Sequence, residues 1–553
     1  MPSYGQADRL GGAVRSLLAQ TDPDWELVVV DDGSLDDVAA ALAPFDADAR
    51  IRLHRLASNR GLGAACNRAL DLARAALVAY LPCDDRFEPD HLATLRALLA
   101  DPGAVLAHTA LPEPAFGLQL VQVMHRRTAD RWVERDELES VDLDRLLWAR
   151  LRRRGRVAAS PRVTCRWVAH PGQRHRAIRA SCDGGLNTFR ARYGVRTPLR
   201  FHPSDGPAVD EVARYARFRD RPPPPADGLR VLLAGELAYN PERILALEER
   251  GCRLSGLWID DPLGFMTVGP LPFGHVEDVA ETDLHAARPD VVLALLNWRA
   301  VPLAHRLLDT GVPVVWHFKE APQRCDGRGE TALLDDLHRR AAAVIYSSEE
   351  ERAYCALRFG PRRAFVIDGD LPKREWLDAM PARRLSEDDG AVHTVLLGRP
   401  YGVDRGLLDG LAARGIAVHV HDGPTAVGPE DWVSVLSRYD GGWLHPVRPA
   451  NGGDLGRATW DDLNLPARLP TLLAAGVPPI APAAPGAVSA VERVLRETGA
   501  GVLYRDLDDL AAQLRDATAM AERRARAWAV REQFTFDHHA DGLVALLRAI
   551  AGT

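Results

Sequence analysis

Short runs of purely apolar residues that end in polar turns recur along this chain, and they limit its fold more than any other feature. Leu27-Val28-Val29-Val30 runs into Asp31-Asp32-Gly33-Ser34, and Ala76 to Leu81 runs past Pro82 and Cys83 into Asp84-Asp85. A strand that is apolar at every position is buried on both faces, as in the parallel sheets of α/β proteins. In open sheets of that kind the ligand sits in loops at the carboxyl ends of the strands. Helical spacing fills the intervals, from Gly63 to Ala76 and from Asp90 to Leu99 behind Pro89.

At 553 residues the chain exceeds what one hydrophobic core can serve. A first α/β domain is expected over 1–205. The four prolines Pro222 to Pro225 mark a stiff, extended linker within 206–228. The α/β rhythm then restarts. Runs at Val231–Gly235, Val291–Leu296, Val312–Trp316 and Ala343–Tyr346 predict one Rossmann-like lobe over 229–385. Runs at Val392–Leu397, Ala417–Val420 and Pro478–Ile480 predict a second over 386–553.

Composition narrows the partners. The net charge of −7 gives no electrostatic reason to expect nucleic-acid binding. Lys319 and Lys373 are the two lysines among 69 basic residues, which reads as a coding bias. The arginines at 150, 152, 153, 154 and 156 read as a solvated helix end rather than a membrane-binding patch. No run approaches the roughly 18 apolar residues of a membrane span. Seven irregularly spaced cysteines without a CxxC pair read as reduced thiols. A cytoplasmic protein is expected, with peripheral contact to the inner membrane face as a variant.

Taken alone, Asp31-Asp32-Gly33-Ser34 suits either ligand hydroxyls or a helix cap. Asp84-Asp85 could divide between a ribose hydroxyl and a hard divalent cation, which prefers oxygen ligands. The order of segments is more telling. Pro2-Ser3-Tyr4 precedes Trp25–Ser34, which precedes Asn59-Arg60-Gly61-Leu62-Gly63 through Asn67, which precedes Cys83-Asp84-Asp85 and Pro89. This series resembles the family-2 glycosyltransferases of GT-A fold, over about residues 1–175.

The resemblance implies transfer of a sugar from a nucleotide-diphosphate sugar to an acceptor hydroxyl, with inversion and with Mn²⁺ or Mg²⁺. A UDP-sugar is the expected donor, and a glycan, metabolite or lipid-linked molecule the expected acceptor. By the same resemblance Pro2, Ser3 and Tyr4 cradle the nucleoside, and Asp31 or Asp32 contacts the base. Asn59 and Gly61 lie on the nucleotide side, Asp84 holds the ribose, and Asp85 with His170 meets the metal. The expected general base is Asp142, with Asp144 in reserve. Three departures stand out. Only Met1 precedes Pro2, where the family has an apolar strand, so an unpaired edge is expected. Pro82 replaces an acidic residue, and Cys66 replaces a common arginine.

Residues 230–550 resemble the GT-B, family-4-like glycosyltransferases more loosely. The likeness rests on the Gly235 loop, Val366 to Asp370, Leu397-Gly398-Arg399-Pro400, Pro466-Ala467-Arg468 and Ala474 to Pro478. It implies phosphate contacts from Gly398, Arg399 and Arg468. Thr471 stands where many members carry a ribose-binding glutamate. The alternative is therefore that one half is silent and serves as an acceptor-binding or scaffolding module. His317, Lys319 and Glu320 suit a cleft or a solvated loop. Asp537-His538-His539 is expected on a surface helix.

Overall fold

A computed structural model describes residues 1–113, 117–179, 186–195, 197–203, 208–214, 221–235, 241–258, 275–279, 281–296, 300–319, 322–369, 371–422 and 427–552. Glu320 and Asp370 lie outside the described residues. The chain divides into two compact units with a boundary near residue 216.

In the first unit, β1 (Pro2–Ser3), β2 (Leu27–Asp31) and β3 (Ile51–Arg55) form a parallel sheet in that order. All five residues of β2 are buried, as the unbroken apolar run predicts. Helices α1 (Ala7–Leu18) and α2 (Leu62–Leu72) follow β1 and β3. A second sheet has the order β4 (Leu77–Ala79), β6 (Val123–Arg126), β5 (Ala104–Ala110) and β7 (Arg156–Val163). Helix α3 (His91–Leu98) starts just after Pro89.

The strand expected to be missing ahead of Pro2 is represented by a stub. Pro2 pairs with Val30 and Ser3 with Asp31, and Val30 N–H donates to Met1 O at 2.9 Å. The Pro-Ser-Tyr turn therefore keeps its place beside β2. Further on, α4 (Leu143–Arg152) buries Leu143, Leu147, Trp148 and Leu151, one face of a 3.6-residue period. That face packs with Tyr80 and Trp132, so the start of α4 is held near the end of β4.

The second unit contains two parallel sheets. The seven-stranded one runs Glu277–Asp278, Arg253–Trp258, Arg230–Gly235, Val291–Leu296, Val314–Phe318, Ala343–Tyr346 and Ala364–Val366. The five-stranded one runs Ile416–His421, Val392–Leu397, Gly441–Trp443, Pro479–Pro482 and Val502–Tyr504. The helix Phe536–Ala551 returns to the first sheet's side of this unit. Its Asp537 is buried rather than at the surface, because it accepts from Lys373 Nζ at 2.7 Å and from the Arg374 N–H at 2.8 Å. The six cysteines among the described residues are all unpaired and buried.

Candidate active site

The carboxyl ends of β1, β2 and β4 and the start of α4 surround a cavity of about 210 Å³. The backbone explains how they meet. Gly33 has φ +73°, and a Cβ there would come within 2.5 Å of the Ser58 backbone, so only glycine lets the β2 turn touch the loop after β3. Gly63 in α2 lies against the Val133 carbonyl, where a Cβ would fall 2.0 Å away. Asn67 then pins the 132–134 segment, bonding Trp132 N–H, Trp132 O and Glu134.

The two aspartates of the β2 turn separate by role. Asp31 accepts the Ser34 N–H at 2.9 Å and faces Arg55, so it builds the turn and does not line the cavity. Asp32 lines the cavity and accepts the N–H groups of Arg60 (2.7 Å) and Gly61 (2.8 Å). Burial still pushes its carboxyl up to about 6. Pro2, Ser3, Tyr4, Asn59 and Gly61 line the same cavity. The buried Oδ1 of Asn59 has no hydrogen-bond partner among the described residues.

Asp84 and Asp85 both line the cavity. Asp85 accepts the Val168 N–H at 2.9 Å, and burial with the neighbouring Asp84 charge raises it to about 8. His170 lies 2.8 Å from Asp84 through Nε2, while its Nδ1 accepts the Gly172 N–H at 3.1 Å. That second bond fixes the tautomer, so Nε2 carries the proton and donates to Asp84. His170 was expected as a metal ligand; in this structure its ring nitrogens meet Asp84 and the Gly172 N–H. Among the described residues no group of three or more His, Cys, Asp or Glu is arranged to hold a metal ion. The adjacent carboxylates nonetheless fit a hard cation of the kind that takes one or two protein oxygens and fills its shell with phosphate and water.

At α4 the two candidate bases differ. Asp142 occupies the N-cap position without a side-chain capping bond; its carboxylate lies 2.7 Å from Arg145 Nη1, and it does not line the cavity. Asp144 does line it, and burial raises its carboxyl to about 6 against the pull of the Arg145 N–H and the Arg145 and Arg174 charges.

Sequence reading missed the basic wall. Arg135, Arg174, Arg192 and His175 line the same cavity as the carboxylates. Glu139, 1% exposed, holds two of them: Arg135 Nε at 2.9 Å and Arg174 through its other oxygen. Arg135 also reaches the Asn59 carbonyl at 3.2 Å. The signal was present at Glu134-Arg135, but arginine is too frequent in this chain for one to stand out. Tyr193 packs on Tyr4 with ring centroids 5.4 Å apart, and both line the cavity.

In the second unit, Gly398 and Arg399 are exposed on the turn after Val392–Leu397. Arg468 donates through Nη2 to the Arg399 carbonyl at 2.7 Å. Thr471 bonds the Ala467 carbonyl of its own helix at 3.1 Å. His317 is fully buried, and neither ring nitrogen has a partner among the described residues. His419 and His421 do not converge on a metal: His419 meets His393 at 2.9 Å and His421 meets Tyr439 at 2.8 Å.

Known proteins give the same division. Residues 1–127 match the model for glycosyl transferase family 2, and residues 225–368 match that for a glycosyl transferase 4-like domain. The chain is 38% identical over 92 residues to the teichuronic acid biosynthesis glycosyltransferase TuaG of Bacillus subtilis, covering 16% of this chain and 36% of that protein. It is 36% identical over 85 residues to the β-1,3-glucosyltransferase WfgD of Escherichia coli, covering 15% and 33%. The chain thus spans about a third of the length of these relatives. A structure of Anabaena HepE with UDP aligns with 59% of this chain and 100% of its own at 12% identity, with a TM-score of 0.42.

Proposed function

We propose that this chain, whose residues 1–127 match the glycosyl transferase family 2 model and 225–368 that for a glycosyl transferase 4-like domain, is an enzyme that transfers a sugar from a nucleoside-diphosphate sugar to an acceptor hydroxyl in the first unit's cavity. The observation that carries this is one cavity lined by Asp32, Asn59, Asp84, Asp85 and Asp144 together with Arg135, Arg174 and Arg192. Carboxylates suit ribose and base hydrogen-bond donors, and guanidiniums suit a diphosphate.

In this reading Pro2, Ser3, Tyr4 and Asn59 hold the nucleoside. Asp32 shapes the Arg60-Gly61 backbone around it, and Asp84, steadied by His170, takes the ribose. Asp85 would hold Mn²⁺ or Mg²⁺, which when bound neutralises charge on the departing diphosphate. Arg135 and Arg174 face the same oxyanions from the other wall. Asp144 serves as general base. Its carboxylate takes the acceptor hydroxyl proton as that oxygen bonds to the anomeric carbon and the bond to the diphosphate breaks. A carboxyl held near 6 is a stronger base than an ordinary aspartate and remains ionised at neutral pH. Attack opposite the leaving group gives inversion. The names of the relatives point to bacterial polysaccharide assembly and, for WfgD, to UDP-glucose as donor.

A second reading applies to the second unit. Thr471 places no carboxylate where a ribose would need one and bonds within its own helix, which favours an acceptor-binding or scaffolding role. The test is release of nucleoside diphosphate from a panel of nucleotide sugars, with and without Mn²⁺. Loss in Asp85→Asn and Asp144→Asn with activity kept in Arg399→Ala is expected. Loss in Arg399→Ala alone would move the chemistry to the second unit and refute the assignment.

A further inference from the structure

One end of the second unit's seven-stranded sheet buries more ionisable groups than its own side chains satisfy. Gly235, Leu295, His317 and Ile345 stand in one row across that sheet, at or next to the carboxyl ends of their strands. Around this row the chain sets Glu242 and Arg243 in the first turn of the helix Pro241–Glu249, Lys319 just after the strand Val314–Phe318, and Glu351 in the first turn of the helix Glu349–Phe359. Arg243 is 2% and His317 0% exposed, and Glu242 and Glu351 are buried as well. Lys319 is half-buried, so the cluster reaches the surface through it.

Electrostatics tie these groups to one place. Burial holds His317 well below the usual imidazole range, and the Arg243 and Lys319 charges push it the same way. Burial raises the carboxyl of Glu242 against the pull of Arg243 and Lys319. It raises Glu351 to about 8 against the Ser347 N–H and the Lys319 charge.

The hydrogen bonds at this end do not close. Among the described residues Arg243 Nε and Nη1, both ring nitrogens of His317 and Oε1 of Glu351 are buried without a partner. Arg243 makes no ion pair there; its guanidinium carbon lies 5.3 Å from the Phe536 ring centroid, and a π face does not replace an oxygen acceptor. Burying a charged donor unanswered is costly, and an apolar side chain of similar volume would serve the core better. What the cluster has in surplus is donors and positive charge. A guanidinium only donates, a neutral imidazole donates once, and a carboxyl protonated near neutrality donates its O–H. A cation would be repelled, and a neutral hydroxyl would leave the charge unanswered. A negatively charged oxygen answers both.

We propose that this sheet end is a further ligand site, taking the oxyanion of a small molecule, a phosphate monoester or a carboxylate, on Arg243 and His317 with Lys319 at its entrance. Such a site requires no donor chemistry in the second unit and no residue of the first.

The test is titration of the full chain with inorganic phosphate and, separately, with acetate, in a buffer free of other oxyanions. The readout is the pair of ring ¹⁵N signals of His317, assigned by their loss in His317→Gln, which an anion bound in the first unit would not move. Saturable movement is expected, with a rise of about 4 °C in the second unit's melting temperature at a hundredfold excess over Kd. The anion that binds more tightly identifies the class of ligand. Arg243→Met should weaken binding at least tenfold, yet without anion it should melt no lower than wild type, because it removes a buried charge that has no partner. Ring signals indifferent to both anions would overturn the proposal. So would an Arg243→Met chain that melts several degrees lower in anion-free buffer, since the guanidinium would then be satisfied by the protein itself.

Discussion

Both units set loops at the carboxyl ends of parallel strands, but they equip those loops in opposite ways. The first unit collects four aspartates, 32, 84, 85 and 144, in one cavity and raises three of them by burial. Clustered carboxylates in low dielectric are destabilising unless a ligand, proton or cation answers them. In the second unit, Arg399 lies exposed, Arg468 donates to a backbone carbonyl, and Thr471 bonds within its own helix. The first arrangement gathers several raised carboxylates in one cavity, while the second offers one guanidinium nitrogen, Arg468 Nη1, that is buried without a partner among the described residues. Fold alone does not confer a site on a strand end; unmet electrostatic demand does.

The widest separation between the units should come from Asp144. Asp144→Asn is expected to lower kcat by about 10²–10⁴-fold, the usual contribution of a general base, with little change in donor affinity. Asp142→Asn, which removes the charge paired with Arg145 outside the cavity, should change kcat by less than about threefold. If Asp142→Asn is the more damaging, the assignment of the base within α4 is reversed. The same group sets a pH dependence. A base must be ionised to act, so at saturating divalent cation, which would favour the ionised Asp85, kcat/KM should fall as pH drops through about 6 and level off above it. Asp32 titrates in the same range, so the limb must persist in Asp32→Asn for Asp144 to be its source.

Next in size is the basic wall. Glu139→Gln leaves Arg135 and Arg174 without their shared buried carboxylate. Breaking such a pair costs about 3 kcal/mol of stability, seen as a lower melting temperature. The donor KM should rise about tenfold while kcat holds better, because the guanidiniums lose their aim but not their charge. In the second unit, Asp537→Ala should cost about 2 kcal/mol, since Lys373 keeps Glu249 at 2.6 Å. Donor turnover per folded molecule should not change.

How much of this could be read in the sequence follows from how local each signal is. The strands at 27–31 and 291–296 were legible because burial on both faces writes itself as an unbroken apolar run. The cavity aspartates at 32, 84 and 85 were legible because each ends such a run. The choice between Asp31 and Asp32 was not, since it depends on which carboxylate meets the N–H groups of residues nearly thirty positions away. Nor was it legible that Asp144 lines the cavity while Asp142 does not, which turns on the rotation of one helix. The role of His170 needed the Gly172 N–H that fixes its tautomer. Asp537 looked like a surface residue because its partner, Lys373, lies 164 positions away.

The smallest effect is the sharpest test of the comparison. Arg399 is exposed, and its contact with Arg468 is made by its backbone carbonyl, which a side-chain substitution leaves in place. Arg399→Ala therefore removes no internal bond given for that side chain and should shift stability by no more than about 0.5 kcal/mol. If the second unit is a binding or scaffolding module, donor turnover should stay within about twofold of wild type. If it holds a working donor site, the lost guanidinium was a charge-assisted phosphate contact, worth about 1.5–3 kcal/mol, and that part of the turnover should fall by ten- to a hundred-fold. Measuring turnover of Arg399→Ala in an Asp144→Asn background separates the cases, because the first unit is then silent. Residual turnover that disappears with Arg399 would mean two active sites in one chain, and residual turnover indifferent to it would leave the first cavity as the site of transfer.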